Sequence, residues 1–307
     1  MKEIKIFAPG TVANLGPGFD VLGLALERPG DTVIVRRTDD PGVRIASIEG
    51  DGGVLSHDAG KNTAGIAATE TLRRAGVPGG VELDLAKGMP MGSGLGSSAA
   101  SAAAAAVGVN HVLGEPLSPE ELIACCVEAE AAVSGRHADN VAPAVLGGCV
   151  LVRSVDPLDV RRLPVPAGLH VVVVTPAFEL PTRQAREALP KMVPMATLVR
   201  NSANLSALIH ALHTGDLELL GRALDDEIVT PARMPLIPGC ASVIRAARDA
   251  GSLGSSISGA GPSVFALCAE ATRAGEVADA MMRAFATAGL TSTAVVSPAD
   301  CPGARVL

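Results

Sequence analysis

Short apolar runs alternate along the chain with longer segments of helical periodicity. In residues 81–85 (VELDL), Val and Leu alternate with Glu and Asp, which predicts a half-buried strand. Residues 31–38 (DTVIVRRT) and 43–50 (VRIASIEG) predict two strands of a hairpin or a meander. A further strand opens the chain and is expected to break at Pro9 and Gly10.

Start and stop signals predict two helices in the first half of the chain. One has helical periodicity from Asn62 to Ala75 and ends at Gly76. The other begins with Ser118 as its cap and Pro119 in its first turn, and it ends at Gly135.

Between the two predicted helices lies a glycine-rich segment, residues 87–109 (KGMPMGSGLGSSAASAAAAAVGV), which follows the strand at 81–85. Alanine is the best helix former, so the pattern predicts a strand, a glycine loop and a helix, with Ser97 or Ser98 as the N-cap. Converging backbone amides and a helix N-terminus suit a phosphate. The loop matches neither a Walker A loop nor the Rossmann fingerprint. A tight turn before a well-packed alanine helix explains the same pattern.

The length of 307 residues suggests two domains. Pro157, Pro164 and Pro166 place the boundary, which gives domains 1–160 and 161–307.

Beyond the boundary, helices alternate with short strands. Residues 169–176 (LHVVVVTP) predict a fully buried strand. Residues 256–267 (SISGAGPSVFAL) hold a second glycine loop between apolar runs. A tight hairpin and a loop approaching a phosphate both account for it.

Composition and charge narrow the functional classes. The net charge of −7 argues against nucleic acid or an anionic membrane as the main partner. With 2% aromatic residues, the core must be built from Ala, Val, Leu and Ile. The start of the chain lacks an apolar signal core, and no stretch is long and apolar enough to span a bilayer, so a cytoplasmic protein is expected.

No metal centre is expected from the Cys and His residues. The cysteines have no zinc or CxxC spacing and are expected to be reduced; they are Cys125, Cys126, Cys149, Cys240, Cys268 and Cys301. His210 and His213 could share a helix face, but a solvated surface explains them better than a metal site.

Six motifs, in the expected order along the chain, resemble those of the superfamily of galactokinase, homoserine kinase, mevalonate kinase and phosphomevalonate kinase, the GHMP kinases. The segment PMGSGLGSSAA is similar to its phosphate loop, and SGAGPS to its C-terminal glycine motif. The segments ANLGPGFDVLGLAL, HADNVAPAVLGG, PTRQAR and ARMPLIPG resemble the homoserine kinases in particular.

This resemblance implies an α+β, two-domain GHMP kinase fold. Its N-terminal domain would be ribosomal-protein-S5-domain-2-like with a left-handed βαβ unit, its C-terminal domain ferredoxin-like, and the active site would lie between them. It also implies ATP- and Mg²⁺-dependent phosphorylation of L-homoserine to O-phospho-L-homoserine, in threonine biosynthesis, by a homodimer.

The resemblance also implies the nucleotide site. The ATP-binding residues would be Asn62, Lys87, Pro90, Met91, Gly92, Ser93, Gly94, Leu95, Gly96, Ser97, Ser98, Ala99 and Ala100. A β-branched residue at Gly94 is expected to enter the phosphate space. Ser98 and Glu130 would hold Mg²⁺, a hard cation that suits oxygen ligands, with Glu128 as the alternative to Glu130. An N-cap for Ser98 and a helix surface for Glu130 are the simpler readings.

For the acceptor, the resemblance implies a site with both signs of charge. Arg186 and Arg233 would bind the carboxylate, because guanidinium groups hold carboxylates through two parallel bonds. Asp20 and Asn14 would meet the ammonium or the hydroxyl group. The remaining acceptor residues are His137, Asp139, Asn140 and Gly259.

Asn140 stands where related kinases carry an aspartate base, so it is expected to orient the hydroxyl group without taking its proton. Asp139 is the competing candidate for a base. A mevalonate-type kinase and a non-enzymatic nucleotide-binding protein of the same fold are the alternative functions.

Overall fold

A computed structural model describes residues 3–133 and 135–307. Its strands are β1 (Glu3–Ala13), β2 (Leu22–Thr38), β3 (Gly42–Glu49), β4 (Gly80–Ala86), β5 (Cys149–Val155), β6 (Leu158–Leu163), β7 (His170–Pro176), β8 (Gly254–Ile257), β9 (Val264–Cys268), β10 (Ser292–Pro298) and β11 (Arg305–Val306). They form two sheets. The division into domains 1–160 and 161–307 stays a prediction.

The helices lie between these strands, singly or in groups. They are α1 (Thr63–Ala75), α2 (Ser97–Val112), α3 (Pro119–Ala131), α4 (Val141–Leu146), α5 (Thr182–Glu187), α6 (Met195–Thr214), α7 (Leu217–Ala223), α8 (Val229–Arg233), α9 (Cys240–Asp249) and α10 (Ala271–Thr287). Among the described residues, none of them combines the length and the apolar character needed to cross a bilayer.

The first sheet runs in the order β11-β1-β2-β4-β3, and β5 joins it by pairing with β2 and β6. Strand β1 continues through Pro9 and Gly10 with a register shift, so the predicted break is a bulge that bends the strand. The predicted hairpin or meander of β2 and β3 is wrong, because β3 pairs in parallel with β4 and α1 makes the crossover. A parallel pair requires such a crossover.

The second sheet runs in the order β10-β7-β9-β8, and its neighbouring strands are antiparallel. Counted along the chain, this order is fourth, first, third, second, with helices after the first and third strands. This is the βαββαβ arrangement of a ferredoxin-like domain. The strands predicted at 169–176 and on both sides of the second glycine loop are confirmed.

Local signals account for the helix ends. Asn62 accepts a hydrogen bond from the Ala64 amide and caps α1, which ends at Gly76 in the left-handed conformation. At α3, Ser118 and Glu121 form a reciprocal capping box, and Pro119 is the first helical residue. Both predicted helix starts are confirmed, although α3 ends at Ala131, before the predicted Gly135.

The alanine-rich helix α2 lies at the centre of the first domain and packs against β1, β2 and α1. Its residues Ala99 to Ala106 are all buried. Small side chains allow close packing: a Cβ atom at Gly108 would lie 2.5 Å from a methyl group of Val35. This packing fixes the start of α2, and therefore the glycine loop before it, relative to β1.

Candidate active site

The glycine loop between β4 and α2 lines a cavity of about 410 Å³ together with Glu130, Asn140 and Gly259. Of the predicted ATP-binding residues, the cavity brings together Met91, Gly92, Ser93, Gly94, Gly96, Ser97 and Ser98. Gly92, Gly94 and Gly96 have φ values of 63°, 78° and 65°, which favour glycine.

Helix α2 starts at Ser97, directly against this cavity. Its N-cap is Gly96, and no side chain caps it, so the predicted serine cap is wrong. The hydroxyl group of Ser98 is therefore not used as a cap, and Ser98 lines the cavity. The first amides of a helix lack partners within the helix and attract anions.

The second glycine loop, between β8 and β9, packs on the first one. Ser258 Oγ donates to Gly94 O at 2.8 Å, and Ser263 Oγ donates to Ser93 O at 2.5 Å. These two serine contacts, which we call the serine clamp, occupy carbonyl oxygens of the phosphate loop. The hairpin interpretation of the second loop fits this geometry. The loop also lines the larger cavity through Gly259 and Ala260, so its approach to a phosphate stays a prediction.

Gly94 is required at this contact between the two loops. A Cβ atom there would lie 2.6 Å from Gly261 O and 2.7 Å from Ser258 O. The expectation that a side chain at Gly94 would enter the phosphate space is therefore wrong, because it would collide with the second loop.

Lys87 lies beneath the phosphate loop and does not line the cavity. Its Nζ atom forms a buried ion pair with Asp31 and donates to Ser97 O at 3.0 Å and Ser101 Oγ at 2.6 Å. Ser101 Oγ also contacts Asp31, at 2.7 Å. The network anchors the start of α2, so Lys87 supports the loop from behind.

Five other predicted ATP-binding residues also lie outside the cavity. Asn62 uses its amide on Ala64 and Ser56. Pro90 lines a separate hollow at the end of β7. The last three are core residues, namely Leu95, Ala99 and Ala100.

A second, smaller cavity of about 60 Å³ shares five lining residues with the first, namely Glu130, Asn140, Thr182, Gly259 and Ala260. It brings together all the predicted acceptor residues, namely Asn14, Asp20, His137, Asp139, Asn140, Arg186, Arg233 and Gly259. The two cavities meet at Asn140.

Two arginines shape one side of the small cavity. Arg186 forms a two-pronged ion pair with Asp20, with N–O distances of 3.1 and 3.2 Å. Arg233 is buried and donates to Gly259 O at 2.7 Å and Ala185 O at 3.2 Å. Burial, reinforced by Arg186, lowers the pKa of Arg233 to about 10, so it stays charged at neutral pH.

Phe19 lies between these arginines, and sequence reasoning missed it. Its ring centre is 5.3 Å from Cζ of Arg186 and 5.2 Å from Cζ of Arg233. Both distances are within the range of cation–π attraction. Its place before Asp20 in the GFD segment was the available signal.

Asp139 is a buried carboxyl group in the small cavity. Burial, with smaller contributions from Asp20 and Glu130, raises its pKa to about 7. Within residues 3–133 and 135–307, no hydrogen-bonding partner reaches its Oδ1 atom. A buried acceptor of this kind suits a cationic or hydrogen-donating ligand.

The two candidate magnesium carboxylates occupy different places. Glu130 is buried on α3 and lines both cavities. No other acidic residue in the described part of the chain lines both. Glu128 pairs with Arg136 at the surface, at 2.8 and 2.9 Å. No group of three or more His, Cys, Asp or Glu residues in the described chain could hold a metal.

Sequence patterns of the GHMP kinase N-terminal domain match residues 62–148, and those of the C-terminal domain match residues 208–287. Together with the two-sheet architecture and the glycine-loop cavity, these matches define the class. The chain belongs to the GHMP kinases, a family of phosphotransferases, and the predicted two-domain fold is confirmed.

Full-length relatives narrow this further. A homoserine kinase of Arabidopsis thaliana is 48% identical over 99% of this chain and 85% of its own length. One from Chloroherpeton thalassium is 43% identical over 100% of both chains. A crystal structure of homoserine kinase from Cytophaga hutchinsonii, 46% identical, superposes with a TM-score of 0.97 over 100% of this chain and 98% of that one. Within the GHMP kinases, the chain falls among the homoserine kinases.

Proposed function

We propose that this protein transfers the terminal phosphoryl group of ATP to the side-chain hydroxyl group of L-homoserine. The observation that carries the proposal is the meeting of the two cavities. A glycine-loop cavity suited to phosphates opens beside a small cavity with two arginines and three acids, and Asn140 and Glu130 line both.

The larger cavity supplies the means to hold the phosphates of ATP. The amides around Gly92, Gly94 and Gly96 and the N-terminus of α2 provide donors and partial positive charge. The serine clamp supports this role, because it takes the carbonyl oxygens of Ser93 and Gly94 away from a bound anion.

The smaller cavity supplies groups for an amino acid. Arg186 and Arg233 would take the carboxylate, and Asp20 and Asp139 would face the ammonium group. Asp20 is already paired with Arg186, so Asp139 is the carboxylate with an oxygen to spare. A mevalonate-type acceptor has no ammonium group to offer these acids, which favours homoserine.

Mg²⁺ fits the donors present. Ser98 and Glu130 offer a hydroxyl and a carboxylate oxygen to the larger cavity, and hard oxygen donors suit this ion. Mg²⁺ commonly uses one or two protein ligands and completes its shell with phosphate oxygens and water. When bound, it would neutralise phosphate charge.

We infer that the protein contributes to the chemical step mainly by positioning the reacting groups. The homoserine hydroxyl oxygen forms a bond to the γ-phosphorus while the bond to the ADP oxygen breaks. We infer that the hydroxyl proton passes to an oxygen of the transferred group, because the Asn140 amide cannot accept it at neutral pH and Asp139 is expected to face the ammonium group. A loose transition state allows this, because the hydroxyl group need not ionise early.

An ADP-release assay with a panel of alcohols tests the proposal. L-homoserine should support ATP- and Mg²⁺-dependent turnover, and mass spectrometry should detect O-phospho-L-homoserine. Turnover with mevalonate or galactose but not homoserine would refute it, and no turnover at all would favour a binding protein. The predicted cytoplasmic homodimer stays a prediction, and light scattering would measure the mass in solution.

A further inference from the structure

Asn140 is held by a residue for which the sequence analysis predicted no role. Thr11 Oγ1 donates to Asn140 Oδ1 at 2.7 Å, across 129 residues of sequence. Thr11 lies on β1 with no exposed surface. The contact therefore joins strand β1 of the first sheet to the start of α4.

The same threonine is tied to the phosphate loop. Its amide donates to Leu95 O at 2.9 Å. A Cβ atom at Gly96 would overlap Thr11 Oγ1 and would lie 2.7 Å from Asn140 Oδ1, so glycine at 96 leaves room for the hydrogen bond. The phosphate loop, β1 and Asn140 thus meet at one hydroxyl group.

This contact determines which end of the Asn140 amide faces the cavity. An asparagine side chain carries an acceptor oxygen and a donor NH₂ group, and a half-turn exchanges them. With Oδ1 on Thr11, the NH₂ group is the end that remains for the cavity. If the amide rotated by a half-turn, the Thr11 hydroxyl group would lose Oδ1, the acceptor that it has among the described residues. Buried hydroxyl groups rarely remain without a hydrogen-bonding partner.

We propose that Thr11 is a positioning residue that acts through Asn140. It holds the Asn140 NH₂ group toward the acceptor hydroxyl oxygen and keeps that amide in register with the phosphate loop. The proposal rests on the proposed function, because it takes the acceptor hydroxyl group to lie beside Asn140. The NH₂ group then aligns the attacking oxygen without competing for its proton.

Three variants test the role. Thr11→Val keeps the shape and removes the hydroxyl group, Thr11→Ser keeps the hydroxyl group, and Thr11→Val is repeated in an Asn140→Ala background. We expect Thr11→Val to lower kcat about 10- to 100-fold with both KM values within about threefold, and Thr11→Ser to stay within about fivefold of the unaltered protein. In the Asn140→Ala background, Thr11→Val should have almost no further effect on kcat.

Thermal unfolding of each variant separates a folding defect from a catalytic one. If Thr11→Val does not fold, Thr11→Ser still tests the proposal, because it keeps the hydroxyl group and a large loss of kcat in it would contradict the role. Independent effects of Thr11→Val and Asn140→Ala, or an unchanged kcat in Thr11→Val, would overturn the positioning role. Failure of the proposed function would show differently, as no turnover of homoserine by the unaltered protein.

Discussion

Arg186 and Asp20 face each other as a two-pronged ion pair inside the small cavity, with N–O distances of 3.1 and 3.2 Å. The two side chains are about one-third exposed, at 36% and 31%. An amino acid carries both charges that this pair carries, so it can dock against the pair without leaving an unpaired charge.

Arg186→Lys should raise the KM for homoserine by about 10- to 100-fold, because lysine keeps the charge but cannot make two parallel bonds. The KM for ATP should change little. Steady-state kinetics with each substrate varied in turn measures both. Arg200→Lys, in an exposed pair with Glu227, is the matched control and should change neither value. A loss confined to the KM for ATP would contradict the assignment.

Phe19→Leu should raise the KM for homoserine by about 3- to 30-fold, since it removes the ring between Arg186 and Arg233. Turnover of 3-amino-1-propanol, which lacks the carboxylate, should be unaffected. Phe7→Leu is the control, because Phe7 contacts Arg305 in the same way and neither residue lines either cavity. Equal losses with both acceptors would show that the ring does not act through the carboxylate site.

Gly94→Ala should separate the two glycine loops. The added methyl group meets Gly261 O and Ser258 O, so both stability and ATP affinity should fall, the latter by at least about tenfold. Gly76→Ala is the control, because it has a similar φ of 64° with open space around it, and it should cost about 1 kcal/mol of unfolding free energy alone. Calorimetry showing normal ATP affinity in Gly94→Ala would refute the role of the clamp.

Asp139→Asn should change the pH dependence of stability. The pKa of Asp139 is raised to about 7 by burial, against about 4 in an unfolded chain. The folded state therefore holds more protons between these values, and the free energy of unfolding falls as pH rises from about 4 to 7. The variant should be more stable than the unaltered protein by up to about 4 kcal/mol at pH 8, and equal at pH 4. Urea unfolding at both pH values measures the difference, and a constant difference would contradict it.

Kinetics of the same variant decide the route of the proton. A base contributes typically about 10²- to 10⁴-fold to rate. We expect Asp139→Asn to lower kcat less than about tenfold and to act mainly on the KM for homoserine, because an ammonium group is the expected partner of this carboxylate. A kcat drop of several hundredfold, with the acid limb of the pH profile lost, would identify Asp139 as the base.

Sequence patterns predict the place of a side chain well when its residue type has a single common role at that position of a motif. The buried Arg233 and the acid Asp139 lie in the acceptor cavity as their motifs imply. Lys87 follows a strand and precedes a glycine loop, a position where a lysine reaches either a phosphate or a buried carboxylate. Only the fold shows Asp31 opposite it, 56 residues earlier in the chain.

Pairing across the chain accounts for the remaining differences. The alternation in β3 predicts a strand but not its neighbour, and β4 displaces β2 as the partner through the α1 crossover. Thr11 carries no local signal, because a threonine in an apolar strand is ordinary, and its function depends on Asn140 being brought to it. Local periodicity carries no information about such contacts.

The serine clamp also has a consequence for the order in which the protein is made. Ser258 and Ser263 contact residues 164 and 170 positions earlier in the chain. At about 5–20 residues per second, a ribosome adds the roughly hundred residues between β6 and the clamp in about 5–20 s. Throughout that interval, strands β1 to β6 of the first sheet have been synthesised, but the two serines that contact the phosphate loop have not. The clamped form of the phosphate loop is therefore reached only near the end of translation, and we expect any stabilisation of the chain by ATP to begin then.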